Sequence, residues 1–284
     1  MPVPLYGLTR AELTAQVEAW GFSPAHAVRL WRYLYWECAD SLEAMPGLPA
    51  KVRAKLAAEA SLGAPAVARE LHSSDGFTRK FLLELADARK IETVLMRFTG
   101  RVTACISSQA GCAMGCVFCA SGLDGVARNL TAGEIVEQML LLDRLLPDAE
   151  RLSHIVVMGM GEPLANLERL LTALADASDP TGLGISPRRI TISTVGLPPA
   201  MRRLSELGCH YNLAVSLHAP DDLLRNRLVP VNKNIGLADI LSGADQYFET
   251  SGRRLTFEYV LLGDVNDRPE HARGLAALLA GRTA

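Results

Sequence analysis

No apolar run in the chain approaches the ~20 residues needed to cross a bilayer, so a membrane role is not expected. Net charge is also lacking: 29 Lys and Arg stand against 31 Asp and Glu, for a formal net charge of −2. That balance offers no overall attraction to nucleic acid and, on charge alone, speaks against an RNA partner, although a local basic face fits inside a balanced total. Cysteine is scarce, with six in 284 residues, too few for a disulfide scaffold of this size. The opening MPVPLYGLTRAEL has no basic segment followed by an apolar core and does not read as a secretory signal, so the reducing cytoplasm is the expected compartment. At 49% hydrophobic and 21% charged residues, the composition fits a soluble globular protein with one large α/β unit or two domains.

What is present divides by position. Residues 1–70 read as a helical accessory domain. In LTRAELTAQVEAWG, Thr9 is the expected N-cap, Glu12 its capping-box partner and Gly21 the stop. SPAHAVRLWRYLYWECAD is a second helix whose Trp31, Leu34 and Tyr35 recur at helical spacing, with Arg29 and Arg32 on neighbouring faces. That pattern fits a small core better than an RNA-stacking surface. LEAMPGLPAKVRAKLAAEA adds a turn and a third helix. Residues 71–97 read as a β-hairpin linker, from the strands TRKFLLEL and KIETVLMRF joined by ADAR. From 98 to 284, after the strand RVTACISS, helical and strand-like segments alternate, with Thr131 and Glu134 as a second capping box. Strict alternation implies parallel strands in a barrel or doubly wound sheet, with working residues at the strand C-terminal ends. The cysteine loop, GMGEP, STVG and SLH all fall there, which favours a barrel with one site.

Four of the six cysteines lie in CISSQAGCAMGCVFCASG, residues 105–122. Cys112, Cys116 and Cys119 form C-x3-C-x2-C, and Gly111, Gly115 and Gly122 give the loop freedom to wrap a compact group. Three thiolates do not complete a structural zinc site, which takes four ligands. A catalytic zinc with an open position stays possible, but an iron–sulfur cluster with one iron unligated by protein fits best.

C-x3-C-x2-C with Phe118 before its last cysteine resembles the signature of radical S-adenosylmethionine (SAM) enzymes. The cysteine stretch, followed in order by RNLTAGEI, VVMGMGEPLAN, SPRRITISTVG, LAVSLHAP, LVPVN and EYVLLGDVND, is similar to the RlmN family of ribosomal RNA adenine-C2 methyltransferases. The adenine-C8 enzymes of the Cfr type are near relatives. The resemblance covers nearly the whole chain from about residue 5, including SSDG at 73–76, and Pro163 of GMGEP leans toward the C2 enzymes. It implies an α/β fold, a partial (β/α) barrel of the radical SAM type with a helical N-terminal accessory domain.

The resemblance further implies that Cys112, Cys116 and Cys119 hold a [4Fe–4S] cluster. Gly161 and Glu162 meet the methionine end of SAM, and Ser193, Ser216, Leu217 and His218 contact the rest of it. Cys105 matches the resolving cysteine and Glu92 the general base. Read without the resemblance, Cys105 is a small apolar core residue and Glu92 an exposed strand glutamate, although the flanking Ile91, Val94 and Leu95 suggest a carboxylate with a raised pKa. Partners implied are ribosomal RNA, transfer RNA as a second substrate, and an electron donor such as a flavodoxin, with a monomeric protein. In the family a sixth strand and a methyl-carrying cysteine follow the EHARGLAALL helix. This sequence ends at AGRTA and has no cysteine after Cys209. The expectation is therefore a core of five strands, and either an incomplete enzyme or a degenerate member that binds cluster, SAM or RNA without methyl transfer.

Overall fold

The computed structural model describes residues 2–63 and 65–282; Thr283 and Ala284, the end of the AGRTA stretch, lie outside the described residues. The main elements in chain order are α1 (Arg10–Ala19), α2 (Pro24–Tyr35), α3 (Ala50–Glu59), β1 (Ala66–His72), β2 (Thr78–Glu84), β3 (Lys90–Phe98), β4 (Arg101–Cys105), β5 (Gln109–Gly111), β6 (Val126–Asn129), α4 (Ala132–Arg144), β7 (His154–Val157), α5 (Leu167–Ser178), β8 (Ile190–Thr194), α6 (Pro198–Glu206), β9 (Asn212–Ser216), α7 (Asp222–Leu228), α8 (Leu237–Ser251), β10 (Leu255–Glu258) and α9 (Pro269–Leu279). Among the described residues no helix is long and apolar enough to cross a membrane.

The helix starts follow from their caps. Thr9 accepts from the Glu12 N–H, and the Glu12 carboxylate accepts from the Thr9 N–H at 2.8 Å, closing the box that opens α1. Thr131 and Glu134 repeat this at α4. Each box satisfies two N–H groups that the helix itself leaves without partners. At the other end of α8, Gly252 takes the left-handed conformation and its N–H returns to the Phe248 carbonyl, a glycine stop.

The chain forms two compact units that interleave along the sequence. The first comprises Met1–Ile106, Leu130–Ile155 and Glu168–Ser186. Here α2 buries Trp31, Leu34 and Tyr35 at 0–1% exposure, with Trp31 stacked on Tyr35 at 4.0 Å between ring centroids. These aromatics are core and offer no stacking face to RNA. β1 to β4 form a consecutive antiparallel meander. Along β3 burial alternates residue by residue, with Ile91, Thr93 and Leu95 buried on one face, as the two-residue strand period requires.

The second unit comprises Ser107–Asn129, Val156–Leu167 and Pro187–Ala284. β8 pairs with β9 and β9 with β10, all parallel. Among the described residues β10 pairs with no other strand, so the sheet is open and not a closed barrel. β5 and β6 form a short antiparallel hairpin whose ends carry the cysteine loop. The five core strands expected from the sequence are present as β4, β7, β8, β9 and β10.

Candidate active site

The cysteine loop is closed at its neck by backbone contacts. The Cys112 N–H donates to the Gly125 carbonyl at 2.9 Å. Gly111 beside it has φ +81° and passes so close that a Cβ there would lie 2.2 Å from that carbonyl oxygen. Within the loop the Cys119 N–H donates to the Cys116 carbonyl. The three thiols are free and partly buried. Burial, followed by the nearby charges of Cys112 and Cys119, pushes the Cys116 thiol up to about 11. Burial also raises the Cys112 thiol, with Glu162 and Cys119 adding to it. Among the described residues no three His, Cys, Asp or Glu side chains converge closely enough to hold a single metal ion.

Next to the loop, the turn after β7 is locked from several sides. Ser108 and Gln109 donate their N–H groups to the Met160 carbonyl, and the Met160 N–H donates to the Ser107 hydroxyl at 2.8 Å. The Glu162 N–H donates to the Gln109 side-chain oxygen. Gly161 has φ +104°, and a Cβ there would come 2.6 Å from the Gln109 Cβ, so only glycine allows the two segments to meet. The Glu162 carboxylate is buried and accepts three bonds: from the Thr194 hydroxyl at 2.7 Å, the Val195 N–H at 2.9 Å and the Leu164 N–H at 3.0 Å. Burial raises its pKa and these donors oppose the rise. The carboxylate therefore ties the turn to the end of β8, and the face it offers outward is backbone.

At the ends of β8, β9 and β10 the Ser193 and Ser216 hydroxyls both donate to the Glu258 carboxylate at 3.4 Å, and the Leu217 N–H donates to the Glu258 carbonyl. Glu258 joins two of the expected SAM-contacting serines, and nothing in EYVLL pointed to it. His218 takes the left-handed backbone conformation at φ +61°. Its Nδ1 accepts from the Val260 N–H at 3.1 Å, which leaves the ring proton on Nε2. Burial lowers its pKa to about 4, helped by Arg225, so the ring is neutral at physiological pH. Phe118 meets this ring edge to face at 4.8 Å. Cys112, Cys116, Cys119, Gly161, Glu162, Ser193, Ser216, Leu217 and His218 thus all lie in the second unit.

A second residue the sequence reading missed is Arg225 in α7. It is fully buried and donates to the carbonyls of Val195, Ser216 and Leu217 and to the Asn232 side-chain oxygen. The Asp221 N-cap and the Leu224/Leu228 spacing could have revealed this short helix. Nothing in LLRNRL distinguishes the buried Arg225 from Arg227.

Glu92 and Cys105 belong to the first unit. Val94 of β3 is paired with Cys105 of β4 and, on its other side, with Lys80 of β2. Directly opposed residues share a sheet face, and Glu92 lies two residues from Val94 on that face, so the register makes Glu92 a diagonal neighbour of both Cys105 and Lys80. The Lys80 ammonium reaches the Glu92 carboxylate at 2.9 Å. Cys105 is buried, and its carbonyl accepts from the Thr93 hydroxyl. Ile91 and Leu95 point to the face opposite Glu92 by the strand period, and the Glu92 side chain is 43% exposed.

Residues 106–276 match the radical SAM superfamily model. The chain is 59% identical to the probable dual-specificity RNA methyltransferase RlmN of Rhodopirellula baltica over 93% of its own length and 71% of that protein. It is 47% identical to the dual-specificity RNA methyltransferase RlmN 1 of Myxococcus xanthus over 99% of its length and 78% of that protein. A crystal structure of a radical SAM methyltransferase from Sphaerobacter thermophilus superposes with a TM-score of 0.95 at 42% identity, covering 99% of this chain and 82% of that one. The fold is thus the radical SAM fold, α/β as the resemblance implied, with the sheet of the expected partial barrel left open. The chain belongs to the radical SAM superfamily, and within it to the RlmN methyltransferases.

Proposed function

We propose that this protein methylates carbon 2 of adenine in ribosomal RNA, with transfer RNA as a second substrate, using SAM and a [4Fe–4S] cluster on Cys112, Cys116 and Cys119. The observation that carries the reading is the glycine-necked loop of three partly buried thiols beside the Glu162 turn. A mononuclear ion needs its ligands to converge on one point, whereas a cluster takes each thiolate on a different iron, which suits thiols spread along such a loop. Cys112, Cys116 and Cys119 would hold the cluster, which would supply the electron for reductive cleavage of SAM.

The remaining roles fall to the chain's own groups. The Gly161–Glu162 backbone would receive the methionine end of SAM, since the Glu162 carboxylate is engaged inward. Ser193, Ser216 and Leu217 would meet the rest of SAM, and His218 would donate from Nε2. Glu92 would take the carbon-bound proton of adenine, with Lys80 holding its carboxylate, and its diagonal neighbour Cys105 would act as the resolving thiol toward a methyl-carrying cysteine, a residue this sequence does not contain after Cys209. The RNA substrate is supported by the relatives' names; C2 rather than C8 is supported by the RlmN resemblance and by Pro163 after Glu162. A cytoplasmic monomer served by a flavodoxin-type donor completes the proposal.

Anaerobic reconstitution tests it. The wild-type chain is expected to carry about one four-iron cluster, and a variant with Cys112→Ala, Cys116→Ala and Cys119→Ala is expected to carry none. With reductant and SAM the loaded protein is expected to release 5′-deoxyadenosine, and once a methyl-carrying cysteine is supplied, methyl transfer to RNA from deuterated-methyl SAM is read as 2-methyladenosine by mass spectrometry of digested RNA. Equal iron in both proteins, or stoichiometric zinc, overturns the cluster; 8-methyladenosine overturns the position.

A further inference from the structure

We propose that the Arg225 guanidinium is the fixed counter-charge of the cysteine loop and sets the potential at which a cluster on Cys112, Cys116 and Cys119 accepts its electron. The inference rests on the cluster reading above and concerns a residue that reading does not use.

Arg225 has no exposed surface. All the bonds it makes are to neutral oxygens: the carbonyls of Leu217 at 3.0 Å, Ser216 at 2.9 Å and Val195 at 2.6 Å, and the Asn232 side chain at 2.5 Å. Among the described residues no carboxylate bonds it. Asp222 is reached only through Asn232, which donates to the Asp222 carboxylate at 2.9 Å. A buried charge without a counter-ion is among the costliest groups a fold can hold. Arg225 nonetheless stays protonated, since burial lowers its pKa only to about 10. The neutral carbonyls solvate the cation without balancing it.

The anion that would balance it is close at hand. Leu224 and Leu228, which flank Arg225 in α7, join Ala219 and Val229 in a buried apolar cluster, against which Cys116 and Phe118 pack. The Val117 N–H, between Cys116 and Cys119, donates to the Leu228 carbonyl at 3.0 Å. The helix turn that carries the guanidinium is therefore bonded directly to the loop that carries the thiols. A cluster held by three thiolates carries net negative charge that grows by one on reduction. A fixed cation beside it favours the reduced form, and net charge is one of the terms that set such potentials.

Tying strand ends together is a structural task that a neutral donor shares in part; shifting a potential requires charge. Electron paramagnetic resonance during a redox titration of the reconstituted protein separates the two. At the potential where half the wild-type cluster is reduced, Arg225→Gln is expected to lower the reduced-to-oxidised ratio about tenfold. Arg225→Lys, which keeps the charge, is expected to stay much nearer wild type. Asp222→Asn, which keeps the acceptor shape and removes a negative charge near Arg225, is expected to raise the ratio by about threefold. An unchanged ratio in Arg225→Gln, or equal shifts in Gln and Lys, overturns the proposal. If Arg225→Gln takes up no iron, Asp222→Asn decides, and no rise there overturns it. A wild-type chain without iron would instead fail the cluster reading on which the inference stands.

Discussion

Asp176, on α5, is 7% exposed. Burial, then the charges of Asp179 and Glu12, pushes its carboxyl up to about 7. An unfolded aspartate titrates near 3.9, so the unfolded chain releases this proton first as pH rises. The stability that the neutral carboxyl lends is complete below about pH 4 and is lost as pH climbs through about 7. Asp176→Asn removes the penalty. Urea unfolding is expected to show a gain on the order of 1–3 kcal/mol at pH 8 and little change at pH 4; an equal gain at both pH values would mean that the carboxyl does not titrate in this window. Single residues also mark where sequence reasoning stops. The thiols and Gly161 stand out in the sequence as candidates because cysteine and glycine at fixed spacing carry their chemistry with them, and His218 stands out only through the family resemblance. Glu258, Lys80 and Arg225 do not stand out, because their roles depend on which neighbour the fold brings across, and a charged residue in a strand or helix reads as solvated by default. Ile91 flanks Glu92 in the sequence without packing on it, because residues adjacent in a strand lie on opposite faces.

Elements were more legible than partners. The capping boxes at Thr9 and Thr131 marked α1 and α4, and runs such as RRITIST marked their strands, since both signals are local. β1 escaped because every residue in it is exposed, and an edge strand with no buried face has no alternation to read. α7 escaped because it is short and carries a buried arginine among its leucines. In the turn after β7, a single carboxylate makes the join to the end of β8. Glu162→Gln leaves one oxygen where two accept three bonds and sets an NH2 against one of the donors. The variant is expected to lose about 1–3 kcal/mol in urea unfolding and to exchange its Val195 amide hydrogen faster. A variant as stable as wild type would show that the turn is held by the Met160 and Gln109 bonds alone.

For the whole molecule, a net charge of −2 means that association with RNA has no overall attraction to draw on. The dependence of log affinity on log salt for RNA binding is therefore expected to be shallow, with a slope of magnitude below about 3; a slope of about 6 or more would reveal an extended basic face. The interleaving of the two units has a further consequence during synthesis. The cysteine loop emerges from the ribosome early, but the helix it leans on ends at Leu228, whose carbonyl receives the Val117 N–H. At about 5–20 residues per second, the roughly hundred residues between them take on the order of ten seconds to make. Throughout that interval the thiols have neither their packing partner nor the Arg225 guanidinium, so the nascent chain passes through a stage in which oxygen and stray metal ions reach them before the fold can shield them.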